Sequence, residues 1–179
     1  MEFSILYWIQ RLRHPILDEL MQAVTFLGDA GWIWILLGVV LFCGKRTRRC
    51  GAAVLLSLLI GFFVGNLMLK NLVGRSRPSW IDQSIALLIA NPDDFSFPSG
   101  HTLAGFEAAV SVLLYDRRKG TAVLILAVVI GLSRLYLFVH FPSDVLAGAL
   151  LGTGIAYAAH WCVEKITALV GETYGGTMD

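Results

Sequence analysis

Long apolar stretches alternate with short charged segments along this chain of 179 residues. A membrane-spanning helix needs roughly 20 apolar residues to cross a hydrocarbon core of about 30 Å. Five stretches are predicted to span on this basis, namely residues 30–43, 51–69, 98–115, 121–139 and 142–163. The first stretch is short for this thickness, so we expect its helix to extend by about one turn into either flanking segment. The pattern predicts an all-α fold, a polytopic membrane helical bundle of about five transmembrane helices.

The two ends of the chain differ from this pattern. Residues 1–28 carry apolar side chains at helical spacing with charges on other faces, which predicts an interfacial amphipathic helix bent at Pro15. An ordinary amphipathic helix packed on the bundle has the same pattern, and the sequence leaves both open. We expect one domain over residues 1–179, with a transmembrane bundle over 30–163 and a short, flexible cytoplasmic tail over 164–179.

Composition and charge add an orientation. Hydrophobic residues make up 56% and charged residues 15% of the chain, which excludes an ordinary soluble domain. Seven Lys and Arg residues fall in the loops 45–49 and 116–119, so these loops are predicted to be cytoplasmic. The loop 71–97 and the turn near residue 140 then face outward. The net charge of +1 indicates no class of partner, and no nucleic-acid partner is expected.

One outward stretch, SRLYLFVHFPSD at residues 133–144, places Arg134, His140 and Asp144 beside lipid. Burying one such charge in a helix centre costs roughly 2.5–3.5 kcal/mol, so three polar groups together indicate a polar site. At a helix start, residues four apart share a face. A carboxylate behind an imidazole fixes its tautomer and leaves the other ring nitrogen to act as base or nucleophile. Alone, such a pair is more often a helix cap.

A second outward stretch, KNLVGRSRP at residues 70–78, carries cations on the face that normally avoids them. Lys70 and Arg77 are seven residues apart, two helical turns, so both can point at one spot. Alone, they are interpreted as cations that extend to the interface from a helix end. Arg75 is interpreted as an exposed loop cation.

A third outward stretch, FSFPSGHT at residues 95–102, has the pattern of a capped helix start. The free N–H groups of Ser99, Gly100 and His101 at a helix N-terminus would bind an anion, and Gly100 lets the backbone approach it. His101 stands beside them as a proton donor. Alone, a capped helix with an incidental histidine explains the stretch.

Taken together, the three stretches describe a phosphate cradle of three cations and amide donors, with two histidines as nucleophile and acid. Glu107 lies six residues after His101 inside a predicted span. An ionisable group there is a candidate contact for a lipid headgroup or bound water, and a hydrogen-bonded core glutamate is the alternative. Asp93 and Asp94 are assigned to a solvated loop.

The spacings Lys-x6-Arg-Pro, Pro-Ser-Gly-His and Ser-Arg-x5-His-x3-Asp occur in this order. They resemble the three-part signature of the type-2 phosphatidic acid phosphatase superfamily, over roughly residues 14–163. The resemblance implies a bundle of membrane helices with its site at the outer leaflet. It also implies that His140 attacks phosphorus, Asp144 orients it, and His101 protonates the leaving oxygen. The phosphoryl oxygens would be held by Lys70, Arg77, Arg134, Ser99 and the amides near Gly100.

The expected function is that of an integral membrane phosphatase acting on a lipid phosphate or diphosphate in the bilayer through a phosphohistidine. Undecaprenyl diphosphate is ranked ahead of phosphatidylglycerophosphate and phosphatidate. No metal or cofactor is expected, because fixed cations can take the place of Mg²⁺. A bacterial inner membrane with an extracytoplasmic site fits the compact chain. A lipid phosphotransferase and a non-catalytic headgroup binder or transporter stay open, as does the oligomeric state.

Overall fold

The structure, a computed structural model, describes the backbone of residues 1–175 and the side chains of residues 1–170. Throughout this part the regular structure is helical, as the hydrophobic pattern predicts. The helices are α1 (Glu2–Gln10), α2 (Pro15–Gly28), α3 (Trp32–Cys43), α4 (Arg48–Gly61), α5 (Lys70–Val73), α6 (Pro78–Ile81), α7 (Gly100–Tyr115), α8 (Arg117–Tyr136) and α9 (Pro142–Gly175). A 3₁₀ turn over Asp29–Gly31 joins α2 to α3, and a π-helical segment over Phe62–Leu69 joins α4 to α5.

Four helical stretches within residues 1–170 are long and apolar enough to cross a membrane. They are Pro15–Cys43, Arg48–Ile81, Arg117–Tyr136 and Pro142–Val170. The remaining predicted span, residues 98–115, corresponds to α7, which has 16 residues. The first stretch begins at Pro15 and not at residue 30, because α2 continues into α3 through a single 3₁₀ turn.

The bend predicted at Pro15 is a complete break between α1 and α2, with Pro15 in the first helical position where it needs no N–H partner. Both helices pack on the bundle. Leu6 of α1 is fully buried in a cluster with Phe138 and Phe141. On α2, the carboxylate of Asp18 accepts a hydrogen bond from the Tyr136 hydroxyl of α8. For α2, packing on the bundle is therefore what the structure shows.

Helix α7 lies at the centre of the bundle and contacts α4, α8 and α9. Small residues allow this close approach, as is common between membrane helices. A Cβ at Gly152 of α9 would lie 2.6 Å from the Leu103 carbonyl oxygen, and one at Gly105 would lie 3.0 Å from the Ala127 Cβ. The buried core continues around Trp34, which is 1% exposed.

The two basic loops lie at one end of this bundle. Glu164 of α9 forms a 3.4 Å ion pair with Arg49 at the start of α4 and accepts a 2.8 Å hydrogen bond from Tyr115 at the end of α7. Residues 164–175 continue α9, so the flexible tail predicted from Glu164 is wrong for this range, and residues 176–179 lie outside the described part. Apolar residues such as Ile166, Leu169 and Val170 extend the helical pattern past residue 163.

Candidate active site

The three outward stretches meet at the other end of the bundle, where each lies at a helix end. One cavity of about 1230 Å³ is lined by side chains from all of them, including Lys70, Arg77, His101, Arg134 and His140. This volume exceeds the roughly 300–1,000 Å³ common for small-molecule sites. The cavity therefore has room for a group larger than a phosphate alone.

His140 lies in the connection between α8 and α9, where Phe138 adopts a left-handed φ of 61° and turns the chain. Its side chain is buried, and its Nε2 lies 3.1 Å from Nη1 of Arg77. A guanidinium can only donate, so Nε2 carries the lone pair and Nδ1 carries the proton. Burial lowers the pKa of His140, and Arg77 and Arg134 act in the same direction against the Asp144 carboxylate. The imidazole is therefore neutral at pH 7.

Asp144 is fully buried but does not hydrogen-bond His140 directly, because its Oδ2 lies 3.7 Å from Nδ1. That oxygen accepts a 2.6 Å bond from the Ser96 hydroxyl and a 2.8 Å bond from the Phe141 amide. Ser96 also lies 3.4 Å from Nδ1 of His140. The direct histidine–carboxylate pair expected from the spacing is thus a three-residue arrangement that includes Ser96.

Arg75 is part of the same arrangement, and its assignment as an exposed loop cation is wrong. Its Nη1 donates to Oδ1 of Asp144 at 2.6 Å, and its Nη2 donates to Glu2 at 2.6 Å. The guanidinium also lies 4.2 Å from the centre of the Phe141 ring. Burial acts to raise the pKa of Glu2, but hydrogen bonds from Ser143 and Arg75 outweigh it and hold that pKa below its usual value. The start of the chain thus anchors the support of Asp144.

Asp94 occupies the cationic side of the cavity, although the sequence assigned it to a solvated loop. Its carboxylate forms an ion pair with Lys70 and accepts a 2.6 Å bond from Nη2 of Arg77. Its carbonyl oxygen accepts a further 2.7 Å bond from Nε of Arg77. Burial acts to raise the pKa of Asp94, but the hydrogen bond and charge of Lys70 and the charge of Arg77 outweigh it and lower the pKa to about 2. A carboxylate therefore bridges two of the predicted phosphate-binding cations.

Arg134, at the end of α8, is buried and keeps unused donors. Its Nη1 donates to the Thr25 hydroxyl of α2, whereas its buried Nε has no hydrogen-bond partner among the described residues. Since a guanidinium has five N–H donors, Arg134 can still bind an anion in the cavity.

At the start of α7 the predicted residues separate into two groups. Gly100 and His101 line the cavity, and Nε2 of His101 lies 2.9 Å from the carboxylate of Asp29. Ser99 is fully buried away from it, its hydroxyl accepts a 3.0 Å bond from Thr102, and its N–H donates to the Asp144 carbonyl. Ser99 therefore joins the start of α7 to α9, and its contact with phosphate stays a prediction.

Glu107 lines the deeper part of the cavity and is 1% exposed. Its Oε1 has no hydrogen-bond partner among the described residues. Gly61 of α4 lies directly opposite, where an added Cβ would be 1.8 Å from Oε1. Glu107 follows His101 by six residues on α7, which places it about 9 Å further along the helix axis.

Besides Arg75 and Asp94, sequence reasoning missed four residues of this site: Glu2, Thr25, Asp29 and Ser96. Glu2 contacts Arg75, and the other three contact predicted site residues through their side chains. Glu2, Thr25 and Asp29 come from the first 29 residues, which carry none of the three motifs. Only Ser96, which lies inside the third stretch, carried a signal in its position.

Comparisons with known proteins give a matching family model and similar sequences. A family model described as the PAP2 superfamily matches residues 50–168. An undecaprenyl-diphosphatase from Sulfolobus acidocaldarius is 35% identical over 137 residues, which cover 75% of this chain and 66% of that protein, just under two thirds. A phosphatidylglycerophosphatase B from Bacillus subtilis is 29% identical, over 87% of this chain and 79% of that protein.

The fold is also similar to that of a solved structure. The crystal structure of Aquifex aeolicus LpxE superposes with a TM-score of 0.72 and 27% identity, and the match covers 88% of this chain and 93% of that one.

Proposed function

The chain belongs to the PAP2 superfamily, and from this premise we propose that it is an integral membrane phosphatase that hydrolyses the terminal phosphate of a lipid phosphate or diphosphate. One observation carries the proposal: the unprotonated nitrogen of His140 lies 3.1 Å from Nη1 of Arg77, in the cavity that Lys70 and Arg134 also line. Phosphoryl transfer requires positioning and charge stabilisation above all, and fixed cations around a nucleophile supply both.

The reaction proceeds in two steps in this proposal. Nε2 of His140 attacks phosphorus, the bond from phosphorus to the leaving oxygen breaks, and His101 gives that oxygen a proton. Water then attacks the phosphohistidine, His101 takes back a proton, and inorganic phosphate leaves with His140 restored. Asp144, held by Ser96 and Arg75, keeps the imidazole oriented through both steps.

Substrate binding requires an exchange of anions at the cations. Asp94 neutralises Lys70 and Arg77 while the cavity is free of substrate. The phosphoryl oxygens replace this carboxylate on the two cations and also reach the unused donors of Arg134 and the backbone near Gly100. Lys70 and Arg77 thus have an anionic partner before and after binding, which lowers the cost of burying them.

The chemistry proposed here needs no metal or cofactor. The charge that develops on the phosphoryl oxygens meets three protein cations, which is the role that Mg²⁺ takes in other phosphoryl-transfer enzymes. Among the described residues, no group of three His, Cys, Asp or Glu side chains is arranged to hold a metal ion.

Undecaprenyl diphosphate is the first candidate substrate, ahead of phosphatidylglycerophosphate and phosphatidate. Ile35, Leu58 and Leu59 line the cavity together with the polar groups, which suits a phosphate attached to an apolar chain. Glu107, deeper in the same cavity, is placed to contact the substrate beyond its terminal phosphate. We place the site at the extracytoplasmic face of a bacterial inner membrane, because the basic loops lie at the opposite end of the bundle.

Replacement of the nucleophile tests the proposal. In a phosphate-release assay on a panel of lipid phosphates in detergent, His140→Ala should lower turnover by at least about 10³-fold, since no other group can form the covalent intermediate. His14→Asn is the matched control, because His14 only accepts a capping bond from Ile16 and asparagine can do the same.

The same assay separates the alternatives. Full activity in His140→Ala would contradict the mechanism, whereas release of phosphate from no lipid by the wild-type chain would favour a non-catalytic headgroup binder or transporter. Phosphate that appears on an added alcohol or lipid acceptor instead of in solution would identify a phosphotransferase. Strict dependence on Mg²⁺ would contradict the metal-free cradle.

A further inference from the structure

Asp29 lies outside all three motifs and outside residues 50–168, yet it contacts the candidate acid. Its Oδ1 accepts a 2.9 Å hydrogen bond from Nε2 of His101, and both residues line the cavity. Nδ1 of His101 makes no hydrogen bond to the part of the chain that the structure describes. It is also not one of the buried atoms that lack a partner there. The open nitrogen of this imidazole is therefore Nδ1.

The backbone around Asp29 is built for this contact. Ala30 and Gly31, with φ of 50° and 68°, are left-handed residues that turn the chain between α2 and α3. Only glycine adopts such a conformation without cost, so Ala30 is held there by its surroundings. Gly28 removes the remaining obstacle, because a Cβ there would lie 2.6 Å from Cδ2 of His101. The end of α2 can approach the imidazole only with glycine at this position.

The same turn of helix contacts a second site residue. Thr25, four residues before Asp29, accepts the hydrogen bond from Nη1 of Arg134. The end of α2 thus contacts one predicted cation and one predicted acid, which come from different helices. Contact with two site residues separates this turn from an ordinary connection between spans.

We propose that Asp29 is a positioning residue that holds the proton of His101 on Nε2 and directs Nδ1 toward the leaving group. With Nε2–H bound to Asp29, the cationic imidazole can release a proton only from Nδ1, and the neutral imidazole can accept one only there. In the first step the Nδ1 proton passes to the leaving oxygen. In the second, Nδ1 takes a proton from the attacking water, so His101 ends as it began.

This inference depends on the proposed hydrolysis. Its test compares two substrates whose leaving groups differ in their need for a proton. An alkyl phosphate, such as a lipid monophosphate, needs protonation of its leaving oxygen. The leaving group of nitrophenyl phosphate is the stabilised nitrophenolate anion, which needs little protonation. Asp29→Ala should lower kcat/KM, which reports the steps up to release of the leaving group and not the later attack of water, by about 10²-fold on the lipid monophosphate and by less than about threefold on nitrophenyl phosphate. Asp29→Asn, whose amide oxygen still accepts from Nε2–H, should recover part of the loss.

Asp93→Asn is the matched control, because Asp93 also lines the cavity but is not a partner of His101. KM for the lipid monophosphate should change by less than about twofold in Asp29→Ala, since the cations that bind phosphate are untouched. Nitrogen NMR of histidine-labelled protein gives a readout independent of turnover. The Nε2–H resonance of His101 should be protected in the wild type and should exchange with water in Asp29→Ala.

The outcomes are distinct. An equal loss on both phosphates, or no loss on either, would overturn the role of Asp29 while the proposed hydrolysis stands. Release of phosphate from no lipid by the wild-type chain would overturn the hydrolysis first, and the role of Asp29 with it. If Asp29→Ala does not fold, the activity of Asp29→Asn and the Nε2–H resonance of the wild type still test the role of Asp29.

Discussion

Among the single residues of the cavity, the charge of each cation depends for its compensation on which carboxylate pairs with it. Lys70 and Arg77 share Asp94, Arg75 is committed to Asp144 and Glu2, and Arg134 keeps a donor free. Pairing is expected wherever like charges are buried together, because an uncompensated ion costs several kcal/mol. Asp94 is the partner that a substrate phosphate must replace.

Asp94→Asn should therefore bind anions more tightly. Removal of the competing carboxylate should lower KM for the lipid substrate and the inhibition constant for vanadate or phosphate by roughly 3–10-fold, a gain of about 1 kcal/mol. Initial rates at varied substrate and vanadate concentrations measure both. Asp93→Asn, in the same loop, is the control, and a raised KM in Asp94→Asn would contradict the competition.

The pH dependence of this effect follows from the pKa of Asp94. Since it is lowered from 3.8 to about 2, Asp94 is ionised at every pH above about 4, and its bridge stabilises the fold there. That stabilisation is lost as the pH falls through about 2. The ratio of wild-type to Asp94→Asn inhibition constants should stay constant from pH 5 to 9, and a ratio that changes within this window would point to another group.

At the scale of elements, close packing of α9 on α7 sets the position of the site. Asp144 and Ser99 lie at the starts of these helices and are joined by the Ser99 amide and the Asp144 carbonyl at 3.1 Å. Further along, Gly152 lies against the backbone of α7. A shift between the helices would therefore move His140 and its support relative to His101.

Two glycines on α9 provide a matched test of this packing. A Cβ at Gly152 meets the Leu103 carbonyl oxygen at 2.6 Å, whereas a Cβ at Gly154 meets nothing within 4 Å. Gly152→Ala should destabilise the protein by about 1–3 kcal/mol and reduce activity, because backbone atoms cannot move aside as a side chain does. Gly154→Ala should change stability by less than about 1 kcal/mol. Thermal unfolding in detergent compares them, and equal melting temperatures would contradict the packing.

At the scale of the whole molecule, charge divides the bundle into two ends. The basic loops 45–49 and 116–119 lie near Glu164, and the cavity opens at the other end. With the proposed orientation, the cations of the basic loops follow the usual bias of a cytoplasmic end, whereas those at the cavity end are explained by the proposed binding of phosphate.

This orientation can be measured by thiol labelling in intact cells. With Cys43, Cys50 and Cys162 replaced by serine or alanine, Ser84→Cys in the outward loop should react with a membrane-impermeant maleimide. Lys45→Cys should react only after the membrane is permeabilised. Both positions are exposed, so access alone decides the result. The reverse pattern would place the cavity at the cytoplasmic face and contradict the proposed localisation.

The helical membrane fold can be predicted from the sequence alone, and seven of the nine site residues predicted in this way line the cavity. Both follow from local information, because hydrophobic length and spacing decide where a helix spans, and the three motifs lie at the ends of such helices. Some boundaries differ, at Pro15 and beyond residue 163, because helix continuation across a 3₁₀ turn or past the apolar run has no sharp sequence signal.

Only the tertiary structure decided which charged groups pair. Asp94 on Lys70 and Arg77, Arg75 on Asp144, and Asp29 on His101 are contacts between residues 24, 17, 69 and 72 positions apart. Such pairs leave no periodicity in the chain, and their strength depends on distance and burial, which arise only when the helices pack. The motif residues can be recognised in the sequence one by one. Their charged partners, such as Asp29 and Asp94, lie outside the motifs and reach them only through the fold.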